Sequence, residues 1–120
     1  MKKILIVEDV ELNIDLITQL LEDEYELLIA RDGAQGVALA EQVRPDAILM
    51  DMSLPVMDGW EATRRIKANA ALQHIPIIGL SAHAMSGDAD KALAAGCSAY
   101  LTKPIDDALL LAKLDEFLVK

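Results

Sequence analysis

At 120 residues the chain is long enough for one domain with a real hydrophobic core and too short for two. A formal charge of −9 and a pI near 4.5 argue against an unaided grip on nucleic acid or anionic membrane, and an aromatic share of 3% leaves little for stacking on bases. Partners are therefore expected to be proteins or cations.

The first apolar run, Lys3 to Val7, stops at Glu8-Asp9, too soon for a secretory signal, and no stretch approaches the roughly 20 apolar residues that cross a bilayer. The expected location is cytoplasmic. A helix follows in which Asn13, Leu16, Ile17, Leu20 and Leu21 recur at three- and four-residue steps and are expected to face the core. Val10 and Ile14 fall beside that stripe as exposed apolar residues. Glu26 to Ala30 is the second strand, and a helix from about Ala34 to Val43 is stopped by Pro45. Ala47 to Met50 is the third strand and delivers Asp51 to its exit. The loop Met52-Ser53-Leu54-Pro55-Val56-Met57-Asp58-Gly59 then leads to a helix from about Trp60 to Asn69.

His74, before Ile75-Pro76, reads as a surface loop residue, and the fourth strand, Ile77 to Leu80, exits into Ser81-Ala82-His83. Ala89 to Ala95 is a helix capped by Gly96, and Cys97, the single cysteine, reads as a small buried hydrophobe. A weaker strand, Ala99 to Leu101, runs into Thr102-Lys103-Pro104. The last helix starts near Asp106-Asp107 and continues through Leu109, Leu110, Leu114 and Leu118. Strands alternating with helices predict an α/β fold, a five-stranded parallel sheet covered on both faces by five helices.

In an open parallel sheet, ligands bind outside the carboxyl ends of the strands. Glu8, Asp9, Asp51, Ser81 and Lys103 are all expected on that rim. Two unit charges about 4 Å apart repel by roughly 4 kcal/mol at an effective dielectric of about 20. Either one carboxylate stays protonated or a divalent cation compensates, and oxygen ligands with open positions suit Mg²⁺. Singly, Asp51 could start a loop, Glu8-Asp9 cap a helix, Ser81 cap a loop and Lys103 be a surface ammonium. Their joint occurrence favours a phosphate site in which Asp51 is the nucleophile, Ser81 donates a hydrogen bond, and Lys103 and the cation neutralise charge.

These residues resemble the receiver domain of two-component response regulators over essentially the whole chain. The resemblance is carried by Glu8-Asp9, the Asp51-to-Gly59 segment, Ser81-Ala82, Tyr100 and Lys103-Pro104. It implies a flavodoxin-like, doubly wound sheet of order 2-1-3-4-5 and a cis Lys103-Pro104 bond. It also implies Mg²⁺, or Mn²⁺, on Asp9, Asp51 and the Ser53 backbone carbonyl, with Glu8 acting through water. Phosphoryl oxygens would be held by Ser81, Lys103 and the Ala82 amide. Asp51 would take phosphate from a histidine kinase or a histidine phosphotransfer protein, so the chain would catalyse only its own phosphorylation and dephosphorylation. Ser81 and Tyr100 would act as the switch, altering the face of helix four, strand five and helix five. His83 lies where such domains tune the lifetime of the acyl phosphate. Glu8 stands where Asp is more frequent, and Ser81 where Thr is at least as common.

Nothing follows Lys120, so residues 1–120 are expected to form a single receiver domain without an output domain, signalling to a downstream protein by contact. Val10 and Ile14 are candidate kinase-docking residues. A haloacid-dehalogenase-type phosphatase would need a second Asp where Ser53 stands, and room for a cap. A flavodoxin-like electron carrier would need a Ser/Thr/Gly-rich loop after strand one and aromatics around a flavin. The remaining alternative is a pseudo-receiver, a binding module that works without phosphorylation.

Overall fold

The computed structural model describes residues 1–81 and 88–118. Strands β1 (Lys3–Val7), β2 (Glu26–Ala30), β3 (Ala47–Asp51), β4 (Ile77–Ser81) and β5 (Ala99–Thr102) alternate with helices α1 (Glu11–Leu21), α2 (Gly33–Val43), α3 (Gly59–Ala68), α4 (Asp88–Ala95) and α5 (Asp107–Phe117). All pairings are parallel and the order is 2-1-3-4-5, the doubly wound arrangement expected. Three strands run one residue further than their apolar runs, so Asp51, Ser81 and Thr102 are strand residues and not loop starters.

Successive side chains of a strand point to opposite faces, so each strand divides its residues between two cores. Ile4, Ile6, Leu49, Ile78, Leu80 and Leu101 pack with Ile17 and Leu21 of α1 and with Leu110 and Leu114 of α5. Leu5, Val7, Ile48, Met50 and Ile77 pack with Ala40 of α2 and with Ala62 and Ile66 of α3. This double coverage explains why the strands read as continuous apolar runs.

Short polar side chains start three of the helices. Asp32, Asp58 and Asp106 accept hydrogen bonds from the backbone amides of Gln35, Glu61 and Leu109, which satisfies donors that have no partner inside the helix. Helix α2 ends at Arg44, left-handed at φ 52, just before Pro45, and Gly96 follows α4 at φ 118, the cap position expected of it.

Helix α1 departs from its expected phase. Ile14 is only 5% exposed, whereas Leu16, expected in the core, is 56% exposed. Apolar residues at 12, 14, 16, 17, 20 and 21 give two overlapping stripes of helical spacing. The row Ile14, Ile17 and Leu21 is the one that turns inward. Ile14 is thus not the exposed docking residue expected of it, while Val10 is exposed as expected. Cys97 is buried and His74 exposed, as read from the sequence.

Candidate functional site

The alternation that divides the core also gathers the site. Asp51 lies two positions beyond Leu49, Glu8 two beyond Ile6, and Lys103 two beyond Leu101, so all three continue the rows that face α1 and α5. Register pairs Val7 with Met50, which makes Glu8 and Asp51 the next neighbours across β1 and β3. Gly59 is required here, because a Cβ on it would run into the Asp51 carbonyl oxygen and the Met52 backbone. The loop can fold back under Asp51 only without that side chain.

Lys103 Nζ lies 2.8 Å from Glu8 Oε1 and 3.3 Å from Asp51 Oδ2. The second Glu8 oxygen accepts the amides of Asp9 and Val10, both at 3.1 Å, and Asp51 Oδ1 accepts the Ser53 amide at 3.0 Å. Carboxylate oxygens of Glu8, Asp9 and Asp51 lie within 4.8 Å of one another, with Glu8 and Asp51 buried and Asp9 exposed. Glu8 thus has a contact beyond the water-mediated metal role that the resemblance implies: it anchors the lysine directly.

Burial raises the Glu8 pKa; Lys103 opposes this and Asp51 adds to it, and the balance stays above the ordinary glutamate value. Burial alone would lower the Lys103 pKa, but Glu8 and Asp51 outweigh it and the ammonium is held more firmly than in a free lysine. Three carboxylates and one ammonium leave two negative charges when all are ionised. A divalent cation restores neutrality, and a set of oxygen donors open to solvent through Asp9 is the chemistry that Mg²⁺ or Mn²⁺ prefers. The acids are positioned to hold such an ion.

The remaining rim residues follow the other row. Ser81 ends β4, is buried, and pairs in register with Thr102. Its carbonyl accepts the Lys103 amide at 2.7 Å, so the backbone ties the serine to the lysine. The Lys103-Pro104 peptide is cis. Ala82 and His83 lie outside the described residues. Tyr100 is half-buried and stacks on Trp60, with ring centroids 6.5 Å apart. Sequence reading passed over Trp60. Its signal was available, since the only tryptophan of the chain stands directly after Asp58-Gly59 at the start of a helix.

A 2-1-3-4-5 parallel sheet whose carboxyl rim carries an acid pair, a strand-end aspartate and a Lys-Pro step defines a receiver. The response regulator receiver domain family matches residues 4–115, and the chain belongs to that family. Among curated relatives, the polar-differentiation response regulator DivK of Brucella anthropi is 41% identical over 118 residues, covering 98% of this chain and 96% of its own. Among solved structures, the receiver domain of a sensor histidine kinase from Pseudomonas aeruginosa PAO1 has magnesium coordinated in its active-site cleft. It is 42% identical, with a TM-score of 0.91 over 99% of this chain and 98% of that one. The Mn²⁺-bound response regulator Rcp1 is 29% identical, with a TM-score of 0.87 over 100% of this chain and 96% of that one.

Proposed function

We propose that this receiver is a phosphoacceptor: Asp51 takes a phosphoryl group from a histidine kinase or histidine phosphotransfer protein and passes the signal on by protein contact. The observation that carries this reading is the Lys103 ammonium held between Glu8 and Asp51, with three carboxylates converging beside it. In the transfer, an Asp51 carboxylate oxygen attacks phosphorus, the bond from phosphorus to the donor imidazole nitrogen breaks, and the imidazole leaves with that electron pair. Asp9, Asp51 and the Ser53 carbonyl would hold Mg²⁺ or Mn²⁺, which when bound neutralises charge on the transferring group. Lys103 moves from Asp51 toward a phosphoryl oxygen while Glu8 keeps its other side anchored. Ser81 and the Ala82 amide complete the cradle, and Ser81 and Tyr100 relay the change to the face formed by α4, β5 and α5.

Docking of the donor is assigned to α1. Ile14 is buried there, so the apolar contacts fall to Val10, Leu12 and Leu16. A cleft of about 330 Å³, lined by Asn13, Leu16, Leu20, Lys103 and Ile105 among others, leads from Leu16 to the site lysine. No helix among the described residues is long and apolar enough to cross a membrane, and we assign the protein to the cytoplasm, where kinase phosphodonors are. Acetyl phosphate with Mg²⁺ should add one phosphoryl mass to the wild type, and none to Asp51→Asn or to chelated protein. A wild type that stays unlabelled, as a pseudo-receiver would, defeats the reading.

A further inference from the structure

Trp60 stands on the first turn of α3, immediately after the step that closes the Asp51 loop. Its ring stacks on Tyr100 of β5 with planes at 22°, and Lys91 of α4 places its ammonium 5.3 Å from the centroid of the Trp60 ring. The three residues join α3, α4 and β5 in one column. Both rings are half-buried against the core under α2 and α3.

Tyr100 has different kinds of neighbour on its two sides. Its register partner on β4 is Gly79. A Cβ on Gly79 would lie 3.3 Å from Tyr100 Cδ1, 2.7 Å from Met52 Cε and 3.2 Å from Cys97 Sγ. On that side the ring lies near the Gly79 backbone, and the place a side chain would take there is filled by Met52 and Cys97, sulfur-bearing neighbours that yield readily. On the other side it meets the indole, a flat and rigid partner. The electron-rich face of an indole attracts an ammonium, and offset aromatic pairs gain beyond their buried area, so the column has its own preference for one tyrosine orientation.

We propose that Trp60 is a positioning residue for Tyr100: with Lys91 over the indole, it holds the tyrosine ring in the orientation seen here, and phosphorylation must break that stack to move the ring. The inference rests on the phosphoacceptor reading above. Its physical content is a conformational cost. A phosphoryl group that favours a displaced Tyr100 binds more weakly by the fraction of molecules in which the ring is free to move. Weakening the stack should raise affinity for a phosphoryl mimic.

The test uses the full chain labelled with fluorotyrosine. Its two tyrosines give two fluorine resonances, and Tyr25, beside Glu24 and Asp115 at the opposite edge, serves as an internal reference. In Trp60→Leu the Tyr100 resonance should shift while that of Tyr25 stays. Beryllofluoride with Mg²⁺ should bind about three- to tenfold more tightly than to wild type. Trp60→Phe keeps a stacking ring and should return affinity to within about twofold of wild type. Lys91→Glu, an exposed change that puts a carboxylate where the ammonium sits, should tighten binding about two- to threefold without touching the core.

Unchanged or weaker binding in both Trp60→Leu and Lys91→Glu overturns the proposal, as does an unmoved Tyr100 resonance in Trp60→Leu. Failure of Trp60→Phe to restore affinity makes Trp60 a space-filling residue and also overturns it. A wild type that binds no beryllofluoride removes the phosphoacceptor reading itself, a result separate from the fluorine shifts.

Discussion

The two faces of the sheet are built differently. Under α1 and α5 the core is made mostly of branched aliphatic side chains, Ile4, Ile6, Leu49, Leu80, Leu101, Leu110 and Leu114 among them, and the row that reaches the rim ends in Glu8, Asp51 and Lys103. Under α2 and α3, Leu5, Val7, Ile48, Ile66, Leu72, Ile75 and Ile77 are joined by Met50, Met52 and Cys97 and by the half-buried Trp60 and Tyr100, so that among the described residues the sulfur-bearing core side chains all lie on this face. Isoleucine and valine are restricted at χ1, whereas thioethers adapt, so the face that carries the methionines is the more adaptable of the two. The reacting groups therefore stand on the stiff face, and the residues assigned to the switch stand over the soft one.

Paired substitutions are the sharpest way to break that contrast. Leu49→Ala opens a cavity in the stiff core and should cost about 4 to 5 kcal/mol in denaturant unfolding, while Met50→Ala, equally buried on the other face, should cost about 2 to 3 kcal/mol because its adaptable neighbours close part of the cavity. Equal losses would mean that the faces do not differ in adaptability. Next comes the end of the stiff row. Lys103→Met strands two buried carboxylates and should cost about 3 kcal/mol at neutral pH without metal.

That deficit has a pH sign. The Glu8 pKa is already raised and rises further without the ammonium, so the variant recovers as pH falls toward 4.5, the ordinary glutamate value, and loses most at higher pH. A deficit independent of pH would show that the lysine is not compensating Glu8. The smallest effect on stability is expected outside both cores. Leu16→Glu should change stability by less than about 0.5 kcal/mol and leave acetyl phosphate labelling intact. It should slow phosphotransfer from the cognate histidine donor about tenfold, and an unchanged transfer rate would remove α1 from the docking surface.

Much of this was legible beforehand. The five strands could be counted from their apolar runs, and the site residues could be found at their carboxyl ends. Three features were not. In α1 the expected stripe holds at Ile17 and Leu21, but its apolar residues fit two stripes and only the folded packing buries Ile14 in place of Leu16. The direct Glu8–Lys103 contact joins residues far apart in sequence, and only the folded sheet brings them together. Trp60 could be noted as the lone tryptophan after Asp58-Gly59, but its partners, Tyr100 and Lys91, lie on β5 and α4 and meet it only after the helices dock.

What the sequence determined by itself is local chemistry and period: where strands and helices lie, which carboxylates and which lysine end them, and hence the family and the reaction that its site suits. These follow from residue type and spacing along the chain. Tertiary structure decided which row of α1 is buried, which carboxylate anchors Lys103, and what braces Tyr100. Each is a choice between near-equal local options, and only packing against a distant element, worth a few kcal/mol, separates them.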